Sequence, residues 1–332
     1  MANFQTRLVT VFGGSGFVGA QVVRSLARLG WRVRVAVRRP TLAYALQPLG
    51  DVGQIQIVRC DIRSRRSVEA ALEGASAAVN LVGILHEGGG RRFADVHVEG
   101  ARHVAEACAA RDISTLVHVS AIGADPQAKS AYARTKGEGE AAVRAAVPSA
   151  VILRPSIVFG PGDGFLNRFA AMAGFAPALP LIGGGHTRFQ PVYVADVAAA
   201  VARAVEDPQT AGRTFELGGP ATYSFREILE YILRETNRTK LLLPVPFPVA
   251  RALGDVAGLA AIVGLTPPLT RDQAIQLESD NVVAEDAEGL EALGVIPTGM
   301  EAIAPAYLWR YRRGGQFAES PPLAFEAVRD AA

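Results

Sequence analysis

The stretch Val11-Phe12-Gly13-Gly14-Ser15-Gly16-Phe17-Val18-Gly19 lies between an apolar run, Leu8 to Phe12, and a helical pattern, Phe17 to Leu29. Its glycines satisfy two templates together, Gly14-x-Gly16-x-x-Gly19 and Gly13-x-x-Gly16-x-x-Gly19. Each glycine has a mechanical reason. One makes the tight turn, one lets the backbone approach a pyrophosphate, and one lets the helix pack closely on the strand. The pyrophosphate then rests at the helix N-terminus, where unpaired N–H groups and the helix dipole favour negative charge. Between a strand and a helix, Gly13, Gly14, Ser15, Gly16, Phe17, Val18 and Gly19 read as a dinucleotide-binding turn.

The next strand selects among dinucleotides. Arg32 to Val37 alternates and ends in Arg38-Arg39-Pro40. A site for a bare ribose 2′-hydroxyl carries an acid about 20 residues beyond the glycines. Here Arg38 holds that place, with Arg39 beside it. A guanidinium forks onto a 2′-phosphate and has no comparable match to a hydroxyl. The cofactor expected is NADP(H). The plain alternative is a pair of solvated arginines ending a strand.

Strand-like and helix-like segments alternate up to about residue 158. Apolar runs at Leu8–Phe12, Val33–Val37, Ile55–Val58, Ala77–Leu81, Leu116–Val119 and Val151–Leu153 predict strands. Helical patterns fall between them at Phe17–Leu29, Ser67–Leu72, Asp95–Ala110 and Ala131–Ala145. Such a βαβ series predicts an α/β fold, a Rossmann-type doubly wound parallel sheet covered on both faces. After Pro155 the texture changes, with Gly160-Pro161-Gly162 and Gly183-Gly184-Gly185 among shorter elements such as Thr214–Leu217. Ser224-Phe225-Arg226-Glu227 reads as a capping box opening a helix through about Thr236. The expected division is a nucleotide-binding domain over 1–158 and a smaller α/β lobe over 159–332, interleaved in space.

Composition removes several classes. The chain has 332 residues, 49% hydrophobic and 20% charged, which is globular and long enough for two lobes. A net charge of +2 without a long basic run gives no case for nucleic acid. Cys60 and Cys108 lack metal-ligand spacing and read as small core residues in a reducing compartment. His86, His97 and His103 do not cluster with acids at metal spacing, so no metal is expected. Met1 to Arg7 has no apolar core of a signal peptide, and no run of about 20 uncharged apolar residues predicts a spanning helix.

Tyr132-Ala133-Arg134-Thr135-Lys136 places a tyrosine and a lysine four apart on one helical face. A tyrosine that moves protons needs its pKa lowered from about 10, which a neighbouring ammonium can do. With the glycine turn, Asp61-Ile62 after the third strand and Asn80 to Gly83 after the fourth, the chain resembles an extended short-chain dehydrogenase/reductase. The resemblance implies that Asp61 and Ile62 meet the adenine and that Leu81, Val82 and Gly83 run along the cofactor. It also implies that Pro155, Ser156 and Ile157 border the nicotinamide and that Lys136 binds the nicotinamide ribose beside Tyr132.

One position departs from that pattern. Extended members carry a catalytic Ser or Thr two residues after the first serine at the end of the fifth strand. Here the segment reads His118-Val119-Ser120-Ala121-Ile122, so Ile122 stands there and Ser120 falls early. Loss of one such hydrogen-bond donor costs on the order of 3 kcal/mol, about a hundredfold in rate.

A closer resemblance spans nearly the whole chain. Pro155 to Gly160, Phe165 to Phe169, Gln190-Pro191-Val192-Tyr193 to Val197, and Thr270-Arg271-Asp272 are similar to an atypical branch of the superfamily: the 39-kDa accessory subunits of respiratory complex I and their bacterial relatives. That branch implies NADPH held tightly as a structural cofactor, with complex I subunits and the membrane surface as partners. The competing expectation is an active NADP-dependent reductase or epimerase-like enzyme on an apolar, quinone- or isoprenoid-related substrate. The location expected is cytoplasmic, with any membrane contact peripheral on the cytoplasmic face of the inner membrane.

Three further stretches carry expectations. Asp196 is expected to cap a helix over Val197 to Val205. Residues 246–268 read either as core of the small lobe or as an interfacial element. Tyr307 to Arg313 mixes aromatics with cations, as an interface, a membrane surface or a solvated helix would. His97 and Gly100 fall on a helix that can face the cofactor.

Overall fold

A computed structural model describes residues 7–262 and 269–317, with only the backbone described at 258–262 and at 316. The first half alternates β1 (Leu8–Phe12), α1 (Phe17–Arg28), β2 (Arg32–Val37), β3 (Ile55–Arg59), α2 (Arg65–Ala71), β4 (Ala77–Asn80), α3 (Gly100–Ala109), β5 (Thr115–Val119), α4 (Ala131–Ala146) and β6 (Val151–Pro155). The second half is more broken. It runs through β7 (Val158–Phe159), α5 (Leu166–Phe175), β8 (Ala178–Ile182), β9 (Arg188–Phe189), β10 (Val192–Tyr193) and α6 (Val194–Glu206). Then follow β11 (Thr214–Leu217), β12 (Tyr223–Ser224), α7 (Phe225–Glu235), β13 (Leu241–Val245), α8 (Phe247–Ile262) and α9 (Arg271–Gln276).

The main sheet has seven parallel strands in the order β3-β2-β1-β4-β5-β6-β11. Its central strands are apolar on both faces because helices cover both: Val9, Val11, Val33, Val35, Val117 and Leu153 are all fully buried. Strand order reverses at β1, between β2 and β4. The crevice outside the carboxyl ends of β1 and β4 is where such a sheet takes its ligand.

β11 completes the sheet from beyond residue 158, and α6 packs against α1 within the same core. Arg154 on β6 locks this edge, with Glu140 of α4 at 2.7 Å and Glu216 of β11 at 3.4 Å. The small lobe has its own core around Phe159, Leu166, Phe225, Ile228 and Tyr307. Its α7 opens on the predicted Ser224–Glu227 capping box.

Several local expectations are corrected. The single helix expected over Asp95–Ala110 is instead a wide π-helical turn, Ala94–Glu99, followed by α3. There α4 crosses so closely at Gly139 that a Cβ would lie 2.2 Å from the His97 carbonyl oxygen. Gly100 serves packing, since a Cβ on it would lie 3.0 Å from Ile62. Asp196 does not cap α6, which begins two residues earlier. Its carboxylate accepts the N–H of Thr298 at 2.7 Å and the Thr298 hydroxyl at 3.1 Å, fastening the C-terminal segment.

In the aromatic–cationic stretch, Tyr307, Leu308 and Arg312 are buried, so it is largely core rather than solvated surface. Arg312 donates to the Glu235 carbonyl at 2.7 Å, and Tyr307 to Asp163 at 2.8 Å. Of 246–268, residues 263–268 lie outside the described residues, as do the side chains from 258. What is described is α8, with Ala250 buried and Val249, Leu253 and Val256 exposed. Among the described residues, no helix is long and apolar enough to cross a membrane.

Candidate nucleotide-binding site

The glycine turn divides its labour residue by residue. Gly13 adopts φ +81°, a left-handed conformation that L side chains resist, and so makes the turn. A Cβ on Gly19 would lie 2.4 Å from the Gly13 carbonyl oxygen, so α1 rests directly on the turn. A Cβ on Gly14 would meet the sheet packing, 3.0 Å from Val35. Gly16 is exposed and is the N-cap of α1, with no side-chain cap and no acid in the first turn. The first N–H groups of α1 are therefore left for an anion.

Beside this turn lies a cleft of about 240 Å³. Gly13, Ser15 and Gly16 form one wall, Arg38, Asp61 and Ile62 another, and Leu81, Val82 and Gly83 a third, as read from the sequence. Phe17 and Val18, by contrast, are half-buried in the first turn of α1 and do not line it. Cys60 also reaches the cleft. Burial raises its thiol pKa, and pushes that of Cys108 up to about 12, as expected of core cysteines.

Sequence reasoning missed Arg63 and Arg91 on the same cleft. Asp61 is bound in two-pronged fashion by Arg63, at 2.7 Å and 3.0 Å, and that pairing holds its carboxyl below the usual range. Arg38, by contrast, makes no hydrogen bond or ion pair to any described residue. Burial first, and then the Arg91 charge, lowers its pKa. Arg39 is exposed beside it and does not line the cleft. Guanidinia thus converge where Asp61, the one carboxylate among the described residues that line the cleft, is already engaged.

Behind the Leu81–Ile84 wall, Asn80, His97, His118, Tyr132 and Lys136 do not line the cleft and are knit together by protein bonds. Asn80 at the end of β4 accepts the Val82 N–H at 3.1 Å and donates to Nδ1 of His118 at 3.1 Å. His97 accepts the Ile84 N–H on Nε2 at 3.1 Å, so its Nδ1–H donates to the Thr135 hydroxyl at 3.1 Å. Lys136 lies beside Gly83 and donates to the Val119 carbonyl at 3.1 Å. Burial lowers its pKa to about 8. Burial, then the Lys136 charge, also drops His97 and His118 to about 3, so both rings are neutral.

Tyr132 packs edge-on against His97 and Phe93, with ring centroids 5.4 Å and 5.9 Å away. Burial and the Asp272 carboxylate push its pKa up to about 12, opposite to the lowering expected from Lys136. Two polar atoms here are buried without a hydrogen-bond partner, Ser120 Oγ and His118 Nε2. Orphaned donors of this kind, next to a glycine turn with free amides, fit a polar ligand laid along β4 and β5. Ile122 is half-buried, and its N–H goes to the Pro155 carbonyl at 3.1 Å.

A family model described as the NAD dependent epimerase/dehydratase family matches residues 9–218. The chain belongs to that family. Its resemblance to the complex I accessory subunits also stands. It is 36% identical over 307 residues to the Mus musculus NADH dehydrogenase (ubiquinone) 1 alpha subcomplex subunit 9, mitochondrial, covering 92% of this chain and 80% of the mouse protein. It is 32% identical over 321 residues to the Neurospora crassa NADH-ubiquinone oxidoreductase 40 kDa subunit, mitochondrial, covering 97% and 84%. A Caulobacter vibrioides ceramide reductase is 34% identical over 199 residues, 60% of this chain and 61% of that one. In fold the chain is similar to an Escherichia coli NADPH-dependent quinone oxidoreductase solved with NADPH, with TM-score 0.71, 18% identity, and coverage of 91% and 99%. A nicotinamide dinucleotide is the cofactor class of the epimerase/dehydratase family.

Within this family member, the remaining expected contacts do not line the cleft. Pro155, Ser156 and Ile157 lie at the end of β6. The Ser156 hydroxyl donates to Asn281 Oδ1 at 2.7 Å, and the Ile157 N–H to the same oxygen at 3.2 Å. These residues bind β6 to the C-terminal segment. Gln190, from the sharpest of the family-like motifs, does the same work: it donates to the Gly219 carbonyl at 2.8 Å and accepts the Val283 N–H at 3.0 Å.

Proposed function

We propose that this chain is a NADP(H)-holding protein of the complex I accessory-subunit type, in which the nucleotide is tightly bound and serves the fold. The observation that carries this reading is the unneutralised pair Arg38 and Arg91 on the cleft, where a 2′-phosphate would sit. Gly13, Ser15 and Gly16 would hold the pyrophosphate, Asp61 and Ile62 the adenosine, and Leu81 to Gly83, Tyr132 and Lys136 the nicotinamide half. Ligand present a thousandfold above its dissociation constant stabilises a native state by about 4 kcal/mol, enough to make the nucleotide structural. The partners proposed are complex I subunits, with peripheral contact to the membrane surface through exposed aliphatic residues such as Val249, Leu253 and Val256 of α8. Calorimetric titration of nucleotide-stripped protein tests the cofactor. NADPH should bind at least tenfold more tightly than NADH, and equal affinities would sink the assignment.

A second reading is favoured by the likeness to the ceramide reductase and by the retained Tyr132 and Lys136. In an enzyme on an apolar carbonyl or alcohol, the bound nicotinamide would supply hydride chemistry. Tyr132 would donate a proton to the substrate oxygen, and Lys136 would orient the ribose. Ser120 is the hydroxyl on hand as a second donor, being buried and unpartnered. Stoichiometric nucleotide that oxidises on addition of long-chain ketones or quinones would favour this reading over the first.

A further inference from the structure

Arg63 stands on the turn between β3 and α2, and its guanidinium works in two directions. Toward its own turn it forks onto Asp61, with Nε on Oδ1 at 3.0 Å and Nη2 on Oδ2 at 2.7 Å. The Arg63 backbone N–H adds a third bond to Oδ1 at 3.1 Å. The remaining nitrogen, Nη1, donates to the Gly90 carbonyl at 3.2 Å, across to the segment that follows β4. A planar fork with five donors serves two such partners at once, whereas an ammonium is a point charge on a flexible stem.

Gly90 belongs to a tight turn. Gly89 and Gly90 are left-handed, at φ +58° and +71°, and the turn closes through paired backbone bonds between Gly88 and Arg91, at 3.1 Å and 3.2 Å. Its tip has little to pack on: among the described residues, a Cβ on Gly90 would meet nothing within 4 Å. The bond from Arg63 therefore holds a part of the chain that packing does not, one residue before Arg91. Arg91 in turn lines the cleft with Arg38.

Arg63 is also a partition. It and Asp61 line both the cleft and a neighbouring open hollow of about 430 Å³, whose other walls are Ser64, Asp95, Glu99 and His103. Without the Arg63 guanidinium, an anion entering the cleft would face the bare Asp61 carboxylate, with the acids of the hollow behind it.

We propose that Arg63 is a positioning residue for dinucleotide choice: it neutralises Asp61 and props the Gly88–Arg91 turn, so that Arg38 and Arg91 together meet a 2′-phosphate that Arg63 itself does not touch. This role rests on the NADP(H) reading and deepens it, because Arg63 is what keeps a carboxylate-bearing cleft open to a dianion.

The probes are 2′,5′-ADP and 5′-AMP, the adenosine half with and without the 2′-phosphate, titrated calorimetrically into the nucleotide-stripped full chain. Wild-type protein should prefer 2′,5′-ADP by about tenfold or more. Equal affinities overturn the NADP(H) reading and this role with it. Arg63→Ala should lose about tenfold for 2′,5′-ADP, the size of one charge-assisted hydrogen bond, and less than about threefold for 5′-AMP. Its nucleotide-free melting temperature should stay close to wild type, because the Arg63–Asp61 pair is partly exposed and such pairs add little stability.

Arg63→Lys is the deciding variant. A lysine in direct contact with the phosphate would keep the preference, since an ammonium binds phosphate well as a point charge. A lysine asked to fork onto Asp61 and reach Gly90 should lose at least about fivefold. If Arg63 acts through Arg91, the loss in Arg63→Ala/Arg91→Ala should also fall short of the product of the two single losses. A wild type that prefers 2′,5′-ADP, together with a preference kept in Arg63→Lys or losses that multiply in the double variant, leaves the NADP(H) reading standing and overturns the proposal.

Discussion

At the end of the cleft proposed to hold the adenosine, Arg38 and Arg91 stand without a carboxylate of their own, and α1 presents amides that no side chain caps. At the tyrosine end, Lys136, His97 and Asn80 have all found protein partners, and Tyr132 is pinned by Asp272. The first region is incomplete until an anion arrives. The second leaves Ser120 Oγ, His118 Nε2 and the Tyr132 hydroxyl without a hydrogen-bond partner among the described residues, and its tyrosine and lysine are shifted away from the pKa pairing that proton transfer needs. Under the proposed function this difference separates holding a nucleotide from using it: the residues proposed to bind are open to the cleft, while those proposed to react are bonded to the scaffold.

The comparison breaks most sharply at the glycines. Gly19→Ala puts a Cβ 2.4 Å from the Gly13 oxygen and should destabilise the protein by on the order of 3 kcal/mol, seen as a large drop in melting temperature. Gly16→Ala meets only a 3.3 Å contact and should keep the fold while losing nucleotide. Equal effects from the two would mean that the turn does not divide packing from binding as described.

Acid should attack the tyrosine end first. His118 and His97 ionise in the folded protein at about 3, below their ordinary 6.5. An unfolded chain therefore binds their protons first, and stability is lost as pH falls from about 6.5 toward 3. Each histidine contributes roughly 2 kcal/mol to that loss by pH 5. Denaturant melts of His118→Gln at several pH values should show a shallower acid limb by about that amount, and an unchanged limb would show that the ring is not buried neutral.

At the adenosine end, Arg38→Ala should weaken NADPH by about 1.5 kcal/mol, or roughly tenfold, and leave NADH unaffected. Parallel losses for both would place Arg38 away from the 2′-phosphate. The smallest effect is expected of Tyr132→Phe. Removing a hydroxyl with no protein partner should change nucleotide retention by less than about twofold, the cost of one weak, partly solvated hydrogen bond at most.

These contrasts also explain what could be read in the sequence. The glycine turn, Arg38, Asp61 and the Tyr132–Lys136 pair are legible because their spacing along one strand–turn–helix unit is the geometry itself. Arg63 and Arg91 were not, since nothing local says that the Gly88–Gly90 turn folds back to the cleft. Asp272 reaches Tyr132 across 140 residues of chain, a meeting that only the packing of α8, α9 and α4 creates. The wide turn at Ala94–Glu99 was hidden by a helical period that a π turn scarcely disturbs, and Asp196 was misread because an acid in a first turn looks the same whether it caps its helix or grips Thr298.

The most direct test of a held rather than turned-over nucleotide uses protein purified without added cofactor. Denaturation, followed by chromatography and mass spectrometry of whatever is released, identifies and counts the ligand. A structural cofactor predicts NADPH near one per chain that survives dialysis and does not oxidise when carbonyls or quinones are added. An empty cleft, NAD(H) alone, or NADPH that exchanges freely and is consumed would contradict it.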